Sequence, residues 1–242
     1  MSDVIWLPDD LIKVTERSFR LVPGSLFSTA LFTGEVSPYG PVVARFRADL
    51  EFAPMVEERW REWEGLIADF EGLSGRIRTY DPVRREPYYN QIVTTTTENW
   101  DDDTTWDDGT GWESGKLPSS VALDAAANRG DKDIQLAFPS GFESLSAVLR
   151  RGDLLEIRPN GVPVNHGHLY VVRRTANTDA SGKTGVQIAP GLRTAAAAGD
   201  QVVLEDATTV FRLESDEEGA IQVDTALHGR LGLSLVEVLP RS

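Results

Sequence analysis

The chain has three histidines, no cysteine and 38 acidic residues. His166 and His168 stand in Asn165-His-Gly-His-Leu-Tyr170, just ahead of an apolar stretch. An H-x-H pair on a strand puts both imidazoles on one face, where they could supply two ligands to zinc. Zinc needs a third protein ligand, and no neighbouring residue is nominated. Both are read as loop histidines, and His228, beside Gly229, as a turn residue. Ser181-Gly182-Lys183-Thr184 matches the end of a phosphate-binding loop. The full pattern needs a glycine where Asn177 stands, and a strand running into a helix. Lys183 falls between two predicted strands, so the segment reads as a turn. There is no G-x-S-x-G, H-E-x-x-H or G-x-G-x-x-G. Without cysteine there is no thiolate nucleophile, thiolate metal site or disulfide. No carboxylate pair is singled out for glycoside hydrolysis. The expectation is a non-enzymatic protein with no metal and no cofactor.

The most distinctive segment is an acidic tryptophan repeat. Trp100, Trp106 and Trp112 recur every six residues, within Trp106-Asp107-Asp108-Gly109-Thr110-Gly111 and its neighbours. An even period puts all three rings on one side of an extended chain, and Asp108-Gly109 favours a tight turn. An EF-hand frame centred on Gly109 places Thr104, Trp106 and Gly115 at its first, third and last ligand positions, so it fails. Two ligand readings remain open: a looser calcium site from Asp101, Asp102, Asp103, Asp107 and Asp108, and sugars stacked on the tryptophans. The reading adopted is a contact ribbon. A segment this short has no core of its own, so its rings must cover another surface. Tryptophan is enriched at binding hot spots. Asp107 and Asp108 would form the polar rim and meet basic residues such as Arg84 and Arg85 on a neighbour.

Charge narrows the partners. The formal net charge is −14, with a pI near 4.6, and no dense basic run occurs. Affinity for nucleic acid comes from Lys and Arg neutralising phosphates, so tight DNA binding is not expected. An acidic surface is compatible with DNA sliding past, because like charge repels it. No stretch approaches the ~18 apolar residues of a membrane-spanning helix, and no secretory leader is visible.

The elements that must carry these residues are mostly strands. Residues 42–52 alternate apolar and polar throughout, the signature of a half-buried strand. Shorter strands are expected at 18–22 and 29–36. A helix is predicted over 54–71, with Pro54 in its first turn, Glu57 and Glu58 at its positive end, and Val56, Trp60, Trp63, Ile67 and Phe70 on one stripe. Gly72 and Gly75 stop it. A strand follows at 76–82, and 91–97 reads as extended. Short strands at 133–138, 153–157, 168–173, 185–188 and 201–204 suggest a small barrel or sandwich. Residues 142–149 read as one or two helical turns. Gly152-Asp153 and Gly199-Asp200 look like two uses of one turn-into-strand device. Longer strands return at 210–213, 220–223 and 231–239. The expected organisation is mainly β with one prominent helix. A β-sandwich-like domain from 1–98 and 208–242 carries an acidic connector at 99–116 and an inserted small β-barrel at 117–206.

Several segments are similar to siphophage distal tail proteins. They are Val43-Ala-Arg-Phe-Arg-Ala48, the 54–75 helix with its stop, and Arg76-Ile-Arg-Thr-Tyr-Asp-Pro82. The tandem Trp-Asp-Asp-Gly-Thr-Gly resembles segments of phage tail-tip proteins. So does the run through Gly152-Asp-Leu-Leu-Glu-Ile157, Leu169-Tyr-Val-Val172, Ile188-Ala-Pro-Gly-Leu-Arg193, Ala198-Gly-Asp200 and Val210-Phe-Arg-Leu213. The resemblance implies a ring-forming β domain with a helix against its sheet and a second, outer β domain. It further implies a virion protein: a ring, usually of six copies, joining the tail tube protein to the hub or fibre proteins, with DNA only in transit through the lumen. The acidic ribbon and the late return of the first domain depart from the family pattern. A carbohydrate-binding module or adhesin domain is the alternative.

Overall fold

A computed structural model describes residues 4–7, 14–29, 36–41, 44–70, 72–93, 115–159, 167–223 and 228–239. In chain order the elements are β1 (Val4–Trp6), β2 (Val14–Val22), β3 (Ser25–Thr29), β4 (Val36–Pro41), β5 (Arg45–Phe52), α1 (Glu57–Asp69), β6 (Arg76–Tyr80) and α2 (Tyr88–Val93). Then come β7 (Ser120–Leu123), β8 (Asp133–Ala137), β9 (Leu154–Arg158), β10 (His168–Val172), β11 (Lys183–Ala189) and β12 (Gln201–Val203). The last four are β13 (Thr208–Leu213), β14 (Gln222–Val223), β15 (Gly229–Arg230) and β16 (Gly232–Glu237). The protein is mainly β, with a closed six-stranded barrel and a separate mixed sheet. It divides into two compact units, 1–82 with 209–242, and 83–208.

The first unit holds a six-stranded sheet in the order β1-β6-β13-β16-β5-β2. The alternation along β5 buries Phe46, Ala48, Leu50 and Phe52 on one face. β16 pairs antiparallel with β5, Leu233 opposite Leu50 and Leu235 opposite Ala48, so apolar residues stack across the ladder. Phe19 of β2 packs edge-on to Phe211 of β13 at 5.7 Å and tilts against Phe46 at 5.9 Å. At the start of β5 the buried Glu237 carboxylate accepts the Phe46 N–H at 2.9 Å. β1 pairs in parallel with β6. There the Arg78 guanidinium, fully buried, lies 5.1 Å from the centre of the Trp6 ring. Arg17 pairs with the buried Asp81 carboxylate.

Helix α1 begins later than its sequence suggests. Val56 is its N-cap, and Pro54 stands before the helix. Of the predicted stripe, Trp63 and Phe70 are fully buried, Trp60 and Ile67 are half-buried, and Val56 is exposed. Trp63 meets Phe52 with ring centres 4.6 Å apart, so the helix covers the sheet through this pair. Its entry is fixed by a reciprocal backbone bridge between Met55 and Gly229, at 2.9 and 2.8 Å. A Cβ on Gly229 would stand 2.8 Å from Trp60 Cβ, so only glycine lets the strand approach the helix this closely. At the exit, a Cβ on Gly75 would collide with the Phe70 carbonyl oxygen at 1.7 Å.

The second unit is an antiparallel barrel closed in the order β10-β11-β8-β7-β12-β9. Leu136, Leu155, Tyr170, Ile188 and Val202 fill its core. The turn-into-strand device occurs three times, because Asn128-Arg129-Gly130-Asp131 joins the two turns read from sequence. In each, the aspartate N–H donates to the carbonyl three residues back, at 3.0–3.2 Å. Its carboxylate takes that same residue's N–H at 2.7 Å. Gly130, Gly152 and Gly199 have φ of 94°, 102° and 88°, where a side chain would be strained.

Several expectations need correction. Residues 91–93 belong to α2 and are not extended. Residues 142–149 form turns, with positive φ at Ser144 and Ala147, and no helix. Residues 29 and 36 lie on opposite strands of the β3–β4 hairpin, where one strand was expected. The strand β7 had no clear sequence signal. The chain crosses between the units at 82–83 and 208–209, so residues 83–93 go with the barrel and not with the sheet, where the sequence placed them.

Trp63→Ala should destabilise the sheet unit by about 3–5 kcal/mol, whereas Ile67→Ala should cost clearly less, because its site is already half open to water. Urea melts of the two variants check this ranking, and equal losses would mean the whole stripe is core.

Candidate functional site

The chemistry-bearing residues of the barrel unit gather where the chain enters and leaves it. Entry is through 83–93 and exit through 204–208, and polar contacts tie the two together. The Arg85 carbonyl accepts the Asp206 N–H at 2.5 Å. The Arg85 guanidinium grips the Asp206 carboxylate with two bonds, Nε at 2.7 Å and Nη2 at 2.8 Å. Asp206 has φ of 51°, so a reversal in the exit segment presents it to Arg85. Lys116 Nζ lies 2.9 Å from Glu86 and 3.9 Å from Glu205. The hydrogen bond to Glu86 raises the Lys116 pKa above its ordinary value, and exposure of the group makes this a weak stabiliser.

Arg84 Nη1 donates to the Gly152 carbonyl at 3.1 Å. Next to it, the Tyr88 N–H donates to Asp153 Oδ1 at 3.2 Å, and the Arg150 guanidinium lies 4.5 Å from the centre of the Tyr88 ring. Arg84 and Arg85, read from sequence as partners for an acidic ribbon, thus bind acceptors within their own barrel unit. Asn90 on α2 is buried and accepts the Leu117 N–H at 2.7 Å. Trp100, Trp106, Trp112, Asp107 and Asp108 lie outside the described residues. The stretch that holds them is bordered by neighbours: a Cβ on Gly115 would stand 3.4 Å from Val93 Cγ1.

The exit is held by a carboxylate that sequence reasoning missed. Glu156 of β9 is fully buried. Arg158 forks onto it, with Nε at 2.7 Å and Nη2 at 2.9 Å. Its Oε2 also accepts the Thr208 N–H at 3.0 Å and hydroxyl at 2.9 Å. Gly167 leaves room for it, since a Cβ there would be 1.8 Å from Glu156 Oε1. A buried charge is tolerated when it is paired and hydrogen-bonded on this scale. The clue in the sequence is weak: a charged residue at the centre of Leu154-Leu-Glu-Ile157. This arrangement holds the chain in place and leaves no open face for a reacting group.

The other chemical candidates resolve as turns and core. Asp179 accepts the Ser181 N–H and hydroxyl and the Lys183 N–H, at 2.7–2.9 Å. These bonds hold its pKa below the ordinary value, the Lys183 N–H foremost. Ser181-Gly182-Lys183 is therefore an aspartate-braced turn into β11, and Lys183 Nζ pairs with Asp124 at 2.8 Å. His168 is buried on β10, His228 is exposed, and His166 lies outside the described residues. Among the described residues no group of three or more His, Asp or Glu is placed to hold a metal ion. No described helix is long and apolar enough to cross a membrane. No protein-family model matches the chain, and a search of curated proteins returns no match.

Glu156→Ala strips the buried partner from Arg158 and Thr208, and should cost about 3–5 kcal/mol in a urea melt. For Asp153, burial pushes the pKa above the ordinary carboxylate value, against the pull of the Arg150 and Tyr88 N–H groups. A raised folded-state pKa means the folded protein holds the proton longer than the unfolded chain. Stability from this group is present below the unfolded value and falls as pH rises through the folded one. The stability of the wild type minus that of Asp153→Asn should therefore decrease between about pH 3 and about pH 7. An increase over that range would reverse the assignment.

Proposed function

We propose that the protein is a structural subunit of a phage tail tip. Copies assemble head to tail into a closed ring, six in number as the resemblance implies, joining the tail tube protein to the hub or fibre proteins. The observation that carries this reading is the organisation of the chain. A helix-covered β sheet is interrupted, between the neighbouring strands β6 and β13, by a closed six-stranded barrel. A ring-forming domain with a helix on its sheet and a second small β domain is what the resemblance to distal tail proteins implies. The chemistry agrees with a structural role: the buried carboxylate at the barrel exit is spent on holding the chain. The reading assigns the protein no reaction and no cofactor. It places the protein in the virion, where the net charge of −14 suits a channel that DNA traverses without adhering.

A closed ring requires two different surfaces on each subunit that meet head to tail. In this reading the Trp100–Trp106–Trp112 repeat supplies apolar anchors for such a contact, because it is too short to bury three indoles by itself. Its acids would have to meet cations other than Arg84 and Arg85, or compete with the acceptors those residues already hold.

Negative-stain images and mass photometry of the purified full chain should show closed annuli. A monomer or small oligomer that binds glycans on an array would instead favour the carbohydrate-binding alternative and defeat the ring reading. Replacing Trp106 and Trp112 together with Ser should abolish annuli and leave the melting temperature nearly unchanged. Normal annuli with a collapsed melting temperature would assign the indoles to the subunit's own packing.

A further inference from the structure

We propose that the barrel unit carries a binding site for a phosphate group, in the recess lined by Arg151, Arg173 and Arg174. The inference is independent of the tail-tip reading. The recess measures about 470 Å³ and is also lined by Gly152, Val171 and Val172. That is within the size range of small-ligand sites, about 300–1,000 Å³.

The charge pattern is what sets this place apart. Four cations of the barrel unit have acidic partners: Arg85 with Asp206, Arg158 with Glu156, Lys116 with Glu86, Lys183 with Asp124. Arg151, Arg173 and Arg174 are exposed, and among the described residues no carboxylate lies within ion-pair distance of any of them. The carboxylate within the same turn is already engaged. Asp153 is buried, and its two oxygens accept the Tyr88 and Arg150 N–H groups. Two further guanidiniums lie against the same turn, Arg84 on the Gly152 carbonyl and Arg150 over Tyr88.

The backbone that carries the three arginines is preorganised. Arg150-Arg151-Gly152-Asp153 is one of the three Gly-Asp turns, closed by the Asp153 N–H on the Arg150 carbonyl at 3.0 Å. The turn is bonded to the end of β10 by two 2.9 Å bonds, Gly152 N–H to Val172 O and Val172 N–H to Asp153 O. The next residue is held in turn, its Arg173 N–H donating to Gln187 O at 2.7 Å. Arg151 is thereby set beside Arg173 and Arg174, and little backbone entropy is lost when a ligand arrives.

The ligand class follows from the number of guanidiniums. Each offers planar N–H donors that match carboxylate or phosphate oxygens. A carboxylate brings a single charge and two oxygens. A phosphate monoester or inorganic phosphate brings about −1.5 to −2 charges and three acceptor oxygens, a better match to three cations. The same chemistry has two sources, free phosphate or a phosphorylated organic molecule.

The test is calorimetric titration of the full-length protein at fixed ionic strength, with inorganic phosphate in one arm and glycerol 1-phosphate in another, and acetate as control. Saturable binding of either phosphate, with acetate inert, is the expected result. Tighter binding of the ester would identify an organic phosphate as the ligand, and equal binding would identify the free ion. Arg151→Gln, Arg173→Gln and Arg174→Gln should each weaken binding about tenfold. All three side chains are exposed, and circular-dichroism melts verify that each variant stays folded. Should the triple variant fail that check, the single variants still decide the outcome. Absence of saturable phosphate binding by the wild type, equal binding of acetate, or unchanged affinity in all three single variants would overturn the proposal.

Discussion

The antiparallel pairing of β5 with β16 is the contact on which the sheet unit depends. It joins residues 47–51 to residues 232–236, across the whole of the inserted barrel. Leu50, Phe52, Leu233 and Leu235 are buried by that pairing and by Trp63 of the helix laid over it. Each such side chain contributes about 1.5–3 kcal/mol on burial. The share that comes from β16 is not available until the chain has returned from the barrel. Closing so long a loop costs little more than closing a moderately long one, because the entropic penalty grows only logarithmically with length. A self-contained domain can therefore be inserted between β6 and β13 without forfeiting the sheet. Glu237 extends the same dependence to a polar group, since its buried carboxylate accepts the first inward N–H of β5.

The barrel solves the complementary problem. A short-stranded sheet has edges, and full closure removes them. Closure requires tight entries into the strands, and the threefold Gly-Asp turn supplies them at β8, β9 and β12. In each, glycine permits the positive φ and aspartate returns a carboxylate to the turn's first N–H, so the turn is held at both ends. The remaining weak point is where the chain departs. There Glu156 binds Thr208, and Arg85 binds Asp206, so entry and exit are fixed to the same body.

Charge divides the barrel surface into settled and unsettled regions. Arg85 and Lys116, at the entry, are neutralised by residues of the same unit, which removes them from the pool of ready partners for a neighbour. Among the described residues, Arg151, Arg173 and Arg174 have no such ion pair, although the chain as a whole is strongly acidic. A local field of sign opposite to the net charge draws anionic groups to one place and repels them elsewhere.

Local physics made part of this protein legible in its residue order. Period-two alternation marked β5 and its buried face, and the 3.6-residue stripe marked α1 and the indole that packs on the sheet. Gly152-Asp153 and Gly199-Asp200 announced turns, and the change in strand length and its later reversal announced an insertion. These features follow from side-chain spacing and backbone φ, which a few neighbouring residues fix. Tertiary structure decided the rest. Residues 83–93 joined the barrel, and 91–93 became helical, because Asn90 and Tyr88 find partners at Leu117 and Asp153. Trp60 and Ile67 stayed half open although they share a stripe with Trp63, since the depth of burial depends on where β15 and the sheet meet the helix. Glu156 and Arg85 acquired their roles from residues 52 and 121 positions away. Pairings at that separation carry no periodic signal, because only closure of the barrel brings the partners within reach.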